Sequence, residues 1–138
     1  MDVPHMQIGE VAERTQLSLR TIRYYEEVGL VPPSARTTGG FRLYTETDVA
    51  RLMLIRRMKP LDFTLEEMRA VLEVLDRLEL TELPGEERAG LLDRLEMFRE
   101  DADARVTGLR RQLETAEGFA ADLRRELTRQ KRMASRTR

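Results

Sequence analysis

Closely spaced arginines and tyrosines on one short predicted helix are the side chains of this chain best suited to chemistry. Arg20 and Arg23 are followed directly by Tyr24 and Tyr25. A guanidinium group is a planar fork of donors that can bind phosphate or the edge of guanine bidentately. Adjacent residues on a helix point about 100° apart, so one tyrosine should pack inward while the other faces outward. The pattern indicates contact with nucleic acid.

A second basic feature follows in a predicted hairpin over residues 37–44. Gly39 and Gly40 can supply the positive φ angles that a tight turn needs, and Arg42 and Tyr44 come just past its tip. A lone arginine is usually a solvated surface charge, but two basic features so close together favour a shared DNA surface. The candidate DNA contacts are Ser18, Arg20, Thr21, Arg23, Tyr24, Arg36, Arg42, Tyr44 and Lys59.

Two short helices and a turn should position these side chains. The first helix covers residues 8–14, residues 15–17 form the turn, and the second helix covers residues 19–27, with Ser18 as its N-cap. Gly29 suits the left-handed position just past a helix. Together with the hairpin these elements predict a winged helix-turn-helix. Its expected core residues are Ile8, Val11, Ala12, Leu17, Ile22, Val28 and Leu30.

Two further helices should support this unit, so that it covers residues 1–80. A capping box at residues 45–48 opens a helix over about 46–59, which Pro60 ends. A second capping box at residues 64–67 opens a helix over about 65–79. The methionines at 53, 58, 68 and 97 are interpreted as core residues, with a soft-metal or drug pocket as the alternative.

A long helix is predicted over residues 86–132, after a linker at 81–85. With Leu92 at position a of a heptad, ten of the twelve a and d positions are apolar, which indicates a coiled coil. The exceptions are Arg99 at a and Gln130 at d; Arg99 should reach solvent or pair with an acid across the interface. The predicted dimerisation residues are Leu92, Leu95, Val106, Leu109, Leu113, Ala116, Ala120, Leu123 and Leu127.

A helix of this length needs a partner to bury its apolar stripe, and a second copy of the chain is the simplest one. The heptad alone does not fix whether the two helices run parallel or antiparallel. Residues 133–138 are expected to form a basic, solvated and disordered tail, for which a role in non-specific DNA binding is the alternative.

The ordered set of motifs in the first half of the chain resembles the MerR family of bacterial transcription regulators. The residues that carry the resemblance lie between about 7 and 75, and the most specific are Ile8-Gly9-Glu10-Val11-Ala12, Thr21-Ile22-Arg23-Tyr24-Tyr25-Glu26 and Gly40-Phe41-Arg42-Leu43-Tyr44. Two positions depart from the family pattern, because Asp62 stands where glycine is usual and Pro60 is not typical. The resemblance leaves the path between the third and fourth helices open.

The resemblance implies a mainly α fold, with a winged helix-turn-helix DNA-binding domain followed by a long antiparallel coiled-coil dimerisation helix. It favours Tyr24 over Tyr25 as the DNA contact. It also implies a homodimer on a pseudo-palindromic promoter operator, double-stranded DNA as partner, distortion of that DNA, and RNA polymerase as a further partner. The rival hypothesis is a coiled-coil interaction module whose helix-turn-helix does not bind DNA.

Composition argues against several other classes of protein. The 138 residues carry a net charge of −1 and no cysteine, so a DNA surface must be local and thiolate metal sites and disulfides are not expected. With one histidine, His5, and no apolar run of membrane length, we expect no metal, no cofactor and a cytoplasmic location. No nucleophile–base set or phosphate loop indicates an enzyme. The sequence names neither effector nor operator, and no separate ligand domain is expected.

Overall fold

The computed structural model describes residues 4–137 and confirms a mainly helical chain with a small sheet. It divides after Glu96 into two compact units, called here the head, up to Glu96, and the arm, from Met97 onward. In chain order the elements are β1 (Met6–Gln7), α1 (Ile8–Thr15), α2 (Leu19–Glu27), β2 (Ala35–Arg36), β3 (Arg42–Tyr44), α3 (Glu46–Met58), a 3-10 turn (Lys59–Leu61), α4 (Leu65–Leu78) and α5 (Gly85–Arg136).

The helix starts in the head are set by the side chains that the sequence predicts. Ser18 caps α2, because its hydroxyl accepts a hydrogen bond from the backbone N–H of Thr21 at 3.0 Å. Both predicted capping boxes are present, at Thr45 with Asp48 and at Thr64 with Glu67. Each box satisfies backbone donors that a helix N-terminus otherwise leaves without a partner. These caps place α2, α3 and α4 within a residue or so of their predicted bounds.

The connection between α3 and α4 is a tight turn that depends on a left-handed residue. Pro60 lies in the 3-10 turn that ends α3, and Asp62 then adopts φ 60° and ψ 32°. Left-handed backbone crowds the Cβ atom of an L-residue and costs about 1–2 kcal/mol, although aspartate tolerates it better than most residues. The departure from the family pattern at Asp62 therefore leaves the fold intact at a cost in conformational energy.

Replacing Asp62 with glycine should stabilise the protein by about 0.5–1 kcal/mol, because glycine adopts φ 60° without a steric penalty. Urea unfolding followed by circular dichroism measures the change. The matched control is Asp62→Ala, which keeps the Cβ atom and should bring no gain. A glycine variant less stable than the parent protein would contradict this account of the turn.

The head contains a three-stranded sheet in the order β1-β3-β2, with antiparallel neighbours. The hairpin is confirmed: Arg36 lies opposite Arg42, and the turn closes through Gly40 N–H to the Thr37 carbonyl at 2.9 Å. Of the two turn glycines only Gly40 has a positive φ, 84°. Strand β1 was not predicted, because two residues are too few to show an alternating pattern.

The core of the head joins α1, α2, α3, α4 and the sheet. Of the predicted core residues, Val11, Ile22 and Leu30 are buried, whereas Ile8, Ala12, Leu17 and Val28 are half-buried. Val31 and Val74 are fully buried and were not predicted. The fully buried side chains of the head are Val11, Thr15, Ile22, Val31, Tyr44, Asp48, Leu52, Ile55 and Val74.

Three helices of the head end on carbonyl groups that accept hydrogen bonds from arginines further along the chain. Arg56 donates to the Thr15 carbonyl at the end of α1, at 3.1 Å. Arg69 of α4 donates to the Val28 and Gly29 carbonyls just beyond α2, at 2.7 and 3.1 Å. A helix C-terminus carries free carbonyls and a partial negative charge. A guanidinium there donates hydrogen bonds to the carbonyls and offsets the charge.

The third of these arginines, Arg88, donates to the carbonyls of Leu78 and Leu80 at 3.2 and 2.8 Å. It belongs to the first turns of α5, where Leu91 is also buried. The head therefore extends past the predicted boundary at residue 80, to Glu96. The boundary prediction was too early because a leucine of the heptad region packs as a core residue.

The long helix is confirmed, but its predicted end is wrong. It begins at Gly85 and continues to Arg136. Residues 133–136, which were predicted to belong to a disordered tail, are therefore helical. Arg138 lies outside the described residues. Side-chain pairs one turn apart, such as Arg99 with Asp103 at 2.7 Å and Arg129 with Glu126 at 2.7 Å, favour helix at these positions.

Candidate nucleic-acid interface

Helix α2 presents a polar face and a buried face, as its sequence predicts. Ile22 and Tyr25 are buried, while Arg20, Arg23 and Tyr24 are exposed. Burial raises the pKa of the Tyr25 phenol above its usual value. Tyr24, with 45% of its surface exposed, lies with its ring centroid 5.7 Å from that of Tyr25. The division of the two tyrosines into an inner and an outer residue is confirmed.

The exposed arginines of α2 are available to an external anion. Within residues 4–137, neither Arg20 nor Arg23 forms an ion pair or a hydrogen bond to another side chain. Elsewhere in the head, Arg14, Arg36, Arg42, Arg51 and Arg77 are all paired with carboxylates. Arg20 and Arg23 of α2 are therefore exposed cations with no carboxylate within ion-pair distance in the described part of the chain.

The hairpin arginines behave differently, because both bind Glu26 at the end of α2. Arg36 Nη2 lies 2.5 Å from Glu26 Oε1, and Arg42 Nε donates to Glu26 Oε2. The carboxylate raises the pKa of the Arg42 guanidinium above its usual value. These three residues, called here the wing cluster, fasten the hairpin to α2 and keep a net positive charge.

Glu26 is a structural residue that the sequence analysis missed. The signal available was indirect: Arg36 and Arg42 are cross-strand neighbours in the hairpin, and two like charges facing each other need an anion nearby. Sequence spacing alone does not indicate which acid supplies it. The last turn of α2 is within reach only once the hairpin folds back.

Glu26→Ala should lower the free energy of unfolding by about 1 kcal/mol. The hydrogen bonds are charge-assisted, but the arginine side chains are 46% and 29% exposed, so solvent weakens the pairs. Chemical denaturation measures the loss. The control is Glu27→Ala, the neighbouring exposed acid, which should change stability little. Equal effects of the two substitutions would show that the wing cluster is not specific.

Tyr44 was predicted to contact DNA, and that prediction is wrong. Its side chain is fully buried. In the sheet, Tyr44 of β3 is the cross-strand partner of Met6 in β1. Successive strand residues point to opposite faces, so Tyr44 faces the core. Burial raises the pKa of its phenol, and its hydroxyl has no hydrogen-bond partner among the described residues. Phe41 at the tip of the hairpin, 66% exposed, is the aromatic that faces outward.

Lys59 and Tyr24 lie on one surface although they are far apart in the sequence. Both line an open cleft of about 440 Å³ between α2 and the α3–α4 connection. Its other lining residues are Tyr25, Asp62, Phe63, Thr64, Leu65 and Met68. The lining combines a lysine and tyrosines, whose polar groups bind phosphate oxygen, with the carboxylate of Asp62.

The predicted dimerisation residues present an apolar stripe along α5. In the arm, Leu109, Leu113, Leu123 and Leu127 are between 41% and 58% exposed. Val106 and Ala120 are partly exposed and Ala116 is exposed. Of the two positions that belong to the head, Leu92 is exposed and Leu95 is partly exposed. A stripe of exposed leucines this regular indicates a surface that a partner covers.

Two further features, a metal-ligand cluster and a membrane-spanning helix, are absent from the described residues. Between residues 4 and 137, no group of three or more histidine, aspartate or glutamate side chains is placed to hold a metal ion. None of the helices within that range is both long and apolar enough to span a membrane.

Comparison with known proteins reveals a family match and several relatives. The model of the MerR HTH family of regulatory proteins matches residues 6–75. The mercuric resistance operon regulatory protein of Bacillus cereus is 47% identical over 70 residues, which are 51% of this chain and 53% of that protein. The chain thus spans about half the length of the curated relatives it matches.

Two solved structures extend the similarity beyond the matched half. The transcription regulator PbrR691 from Ralstonia metallidurans CH34, in complex with lead(II), is 37% identical with a TM-score of 0.50, over 78% of this chain and 82% of that one. HiNmlR, a MerR family regulator lacking the sensor domain and bound to promoter DNA, is 22% identical with a TM-score of 0.63, over 86% and 89% of the chains. The second likeness is one of fold.

Proposed function

The chain belongs to the MerR family of helix-turn-helix regulatory proteins, and on that premise we propose that it is a sequence-specific DNA-binding transcription regulator. It acts as a homodimer on a pseudo-palindromic promoter operator in the bacterial cytoplasm. Relatives that carry the same domain are named as transcriptional regulators, and none of these is named as an enzyme. The neighbour HiNmlR is bound to promoter DNA.

The observation that carries the proposal is the unneutralised pair Arg20 and Arg23 on α2. Both are exposed within one turn of each other, beside the exposed Tyr24. In a helix-turn-helix the second helix lies in the major groove and its N-terminal residues meet base edges. α2 is this second helix. We assign Ser18 and Thr21, at its start, to the DNA backbone, together with Lys59, which lines the same cleft as Tyr24.

The hairpin acts as a wing with a fixed position. Its arginines pair with Glu26 and the wing cluster still carries net positive charge, so the wing is attracted to phosphate while the pairs favour one position of the hairpin. Pre-ordering of the wing lowers the entropy lost on binding. We assign Arg36 and Arg42 to backbone contacts and base reading to α2.

The homodimer forms through α5, with the helices antiparallel. A two-fold axis between two copies presents two identical heads to DNA, and an operator that fits them has matching half-sites. Promoter activity changes when the dimer distorts the DNA between its half-sites, which brings RNA polymerase into contact with its recognition elements. The exposed leucines of the arm are the surface that supports this assembly.

Selection of genomic DNA fragments on the purified protein, followed by footprinting, tests the proposal. The expected result is a pseudo-palindromic protected site whose affinity falls steeply with salt, because phosphate contacts release counterions. The control is the double variant Arg20→Ala/Arg23→Ala, which should stay helical and lose the footprint. If fragments are retained without sequence preference, or not at all, the rival hypothesis of an interaction module replaces this one.

A further inference from the structure

We propose that α5 pairs with the α5 of a second copy in one antiparallel register, with the two-fold axis passing midway between residues 114 and 115. In this register Arg99 lies beside the partner's Gln130. The inference rests on the proposed homodimer and adds its alignment and the contact that fixes it. Every residue that carries it belongs to the arm.

The two polar core positions are the first argument. In an antiparallel pair, each core layer contains a residue at position a of one helix and a residue at position d of the other, because the two helices run in opposite directions. Arg99 is the polar a residue of the arm, and Gln130 is the polar d residue. Facing a leucine, each would place a polar side chain in an apolar layer, which costs free energy. Facing each other, the guanidinium donates to the amide oxygen, and a buried polar contact of this kind specifies register.

The continuous helix makes this contact available. The sequence predicted helix only to residue 132, whereas α5 extends to Arg136. Gln130 therefore lies well inside the helix, where the heptad continues without a break. Its side-chain amide N–H donates to Glu126 at 2.8 Å, so its amide oxygen remains the group that a guanidinium could bind.

The sizes of the apolar residues are the second argument. In the proposed register every alanine of the arm's seam lies opposite a leucine, which fills the layer to a uniform width. A shift of one heptad in either direction brings two alanines opposite each other and leaves a gap. The matched layers are Ala102 with the partner's Leu127, Leu109 with the partner's Ala120, and Leu113 with the partner's Ala116.

Charges beside the seam are the third argument. On one edge of the seam, Arg105 lies near the partner's Glu126. On the other edge, Asp103 lies between the partner's Arg124 and Lys131. The intrahelical pairs that these side chains form now, such as Arg105 with Asp101 at 3.1 Å, are partly exposed to solvent and can be replaced by pairs across the seam. A parallel, in-register pair would instead place two copies of Arg99 in one layer.

Cysteine mapping tests the register, since the chain has no cysteine of its own. Three variants, Ala102→Cys, Leu127→Cys and Ala120→Cys, are prepared singly, mixed in pairs, refolded together and oxidised. Disulfides form only when Cα atoms lie within about 7 Å. The expected result is a cross-linked dimer from the mixture of Ala102→Cys with Leu127→Cys and from no other sample.

Each other outcome overturns a stated part of the inference. Cross-linking of Ala102→Cys with Ala120→Cys would show a register shifted by one heptad, and cross-linking of Ala102→Cys with itself would show a parallel pair. In both cases the homodimer would stand. A protein that is monomeric by light scattering would overturn the proposed homodimer itself.

A residue exchange tests the contact. Gln130→Arg places two guanidinium groups in one layer, and should raise the dimer dissociation constant about tenfold. The double variant Arg99→Gln/Gln130→Arg recreates the same pair with its members exchanged, and should return the dissociation constant to near that of the parent. Ala104→Arg, at an exposed position on the side of the helix away from the seam, is the control and should change little. A double variant as weak as Gln130→Arg would refute the contact.

Discussion

Arg23→Ala should weaken specific operator binding by about 1–3 kcal/mol, which is a loss of roughly five- to 150-fold. Arg23 is exposed on the second helix of the helix-turn-helix and has no carboxylate partner in the described part of the chain. Its whole binding capacity is therefore available to DNA. If it reads a base, specificity should relax at one position in each half-site. Fluorescence anisotropy with a set of single-base operator variants measures both effects.

The alternative role for Arg23 gives a different signature. If it holds phosphate, the loss should be uniform across operator variants and the salt dependence should become shallower by about one phosphate contact per head. Arg111→Ala is a matched control, because Arg111 is an exposed arginine at an outward heptad position of the arm. Unchanged affinity for both Arg23→Ala and Arg42→Ala would remove the basis for assigning DNA contact to these side chains.

Leu109→Asp should convert the dimer to a monomer at micromolar concentration. Leu109 lies near the middle of the stripe and is 41% exposed in a single chain. Burying a leucine contributes about 1.5–3 kcal/mol, and the substitution replaces that gain with a buried charge, once in each copy. Light scattering measures the mass. Operator affinity should also fall steeply, because one head no longer holds the other at high effective concentration.

The control for this prediction introduces the same charge on the opposite side of the helix. Arg111→Asp places an aspartate at an exposed outward position, where it should leave the dimer intact. A head fragment should end near Glu96 rather than near residue 80, so that Arg88 and Leu91 remain in place. That fragment should be folded, monomeric and weak on operator DNA. A dimeric Leu109→Asp protein would locate the interface elsewhere.

The parts of the fold that could be predicted are those encoded locally. A cap and the helix that it starts lie within four residues of each other, so Ser18 and Thr64 identified the beginnings of α2 and α4 correctly. The path at Asp62 was left open, although its left-handed conformation also depends on one residue and its neighbours. The division of Tyr24 and Tyr25 followed from helix geometry alone.

The parts that could not be predicted depend on contacts between distant segments. Tyr44 resembled a surface aromatic until β1 covered the strand beside it. Glu26 carries no local sign that two arginines will fold onto it. The helical end of α5 was also missed, since a run of basic residues at the end of a chain has the same composition in a helix as in a solvated tail.

The arginines that close the helices of the head bear on the order in which the protein is made. Arg56 and Arg69 come about forty residues after the carbonyls that they bind. A growing chain leaves the ribosome from its N-terminus, so α2 is synthesised long before the residue that completes it. The segment that will read DNA therefore acquires its final hydrogen bonds only when α4 has emerged, and a nascent chain stalled before Arg69 carries a reading helix whose last carbonyls face water.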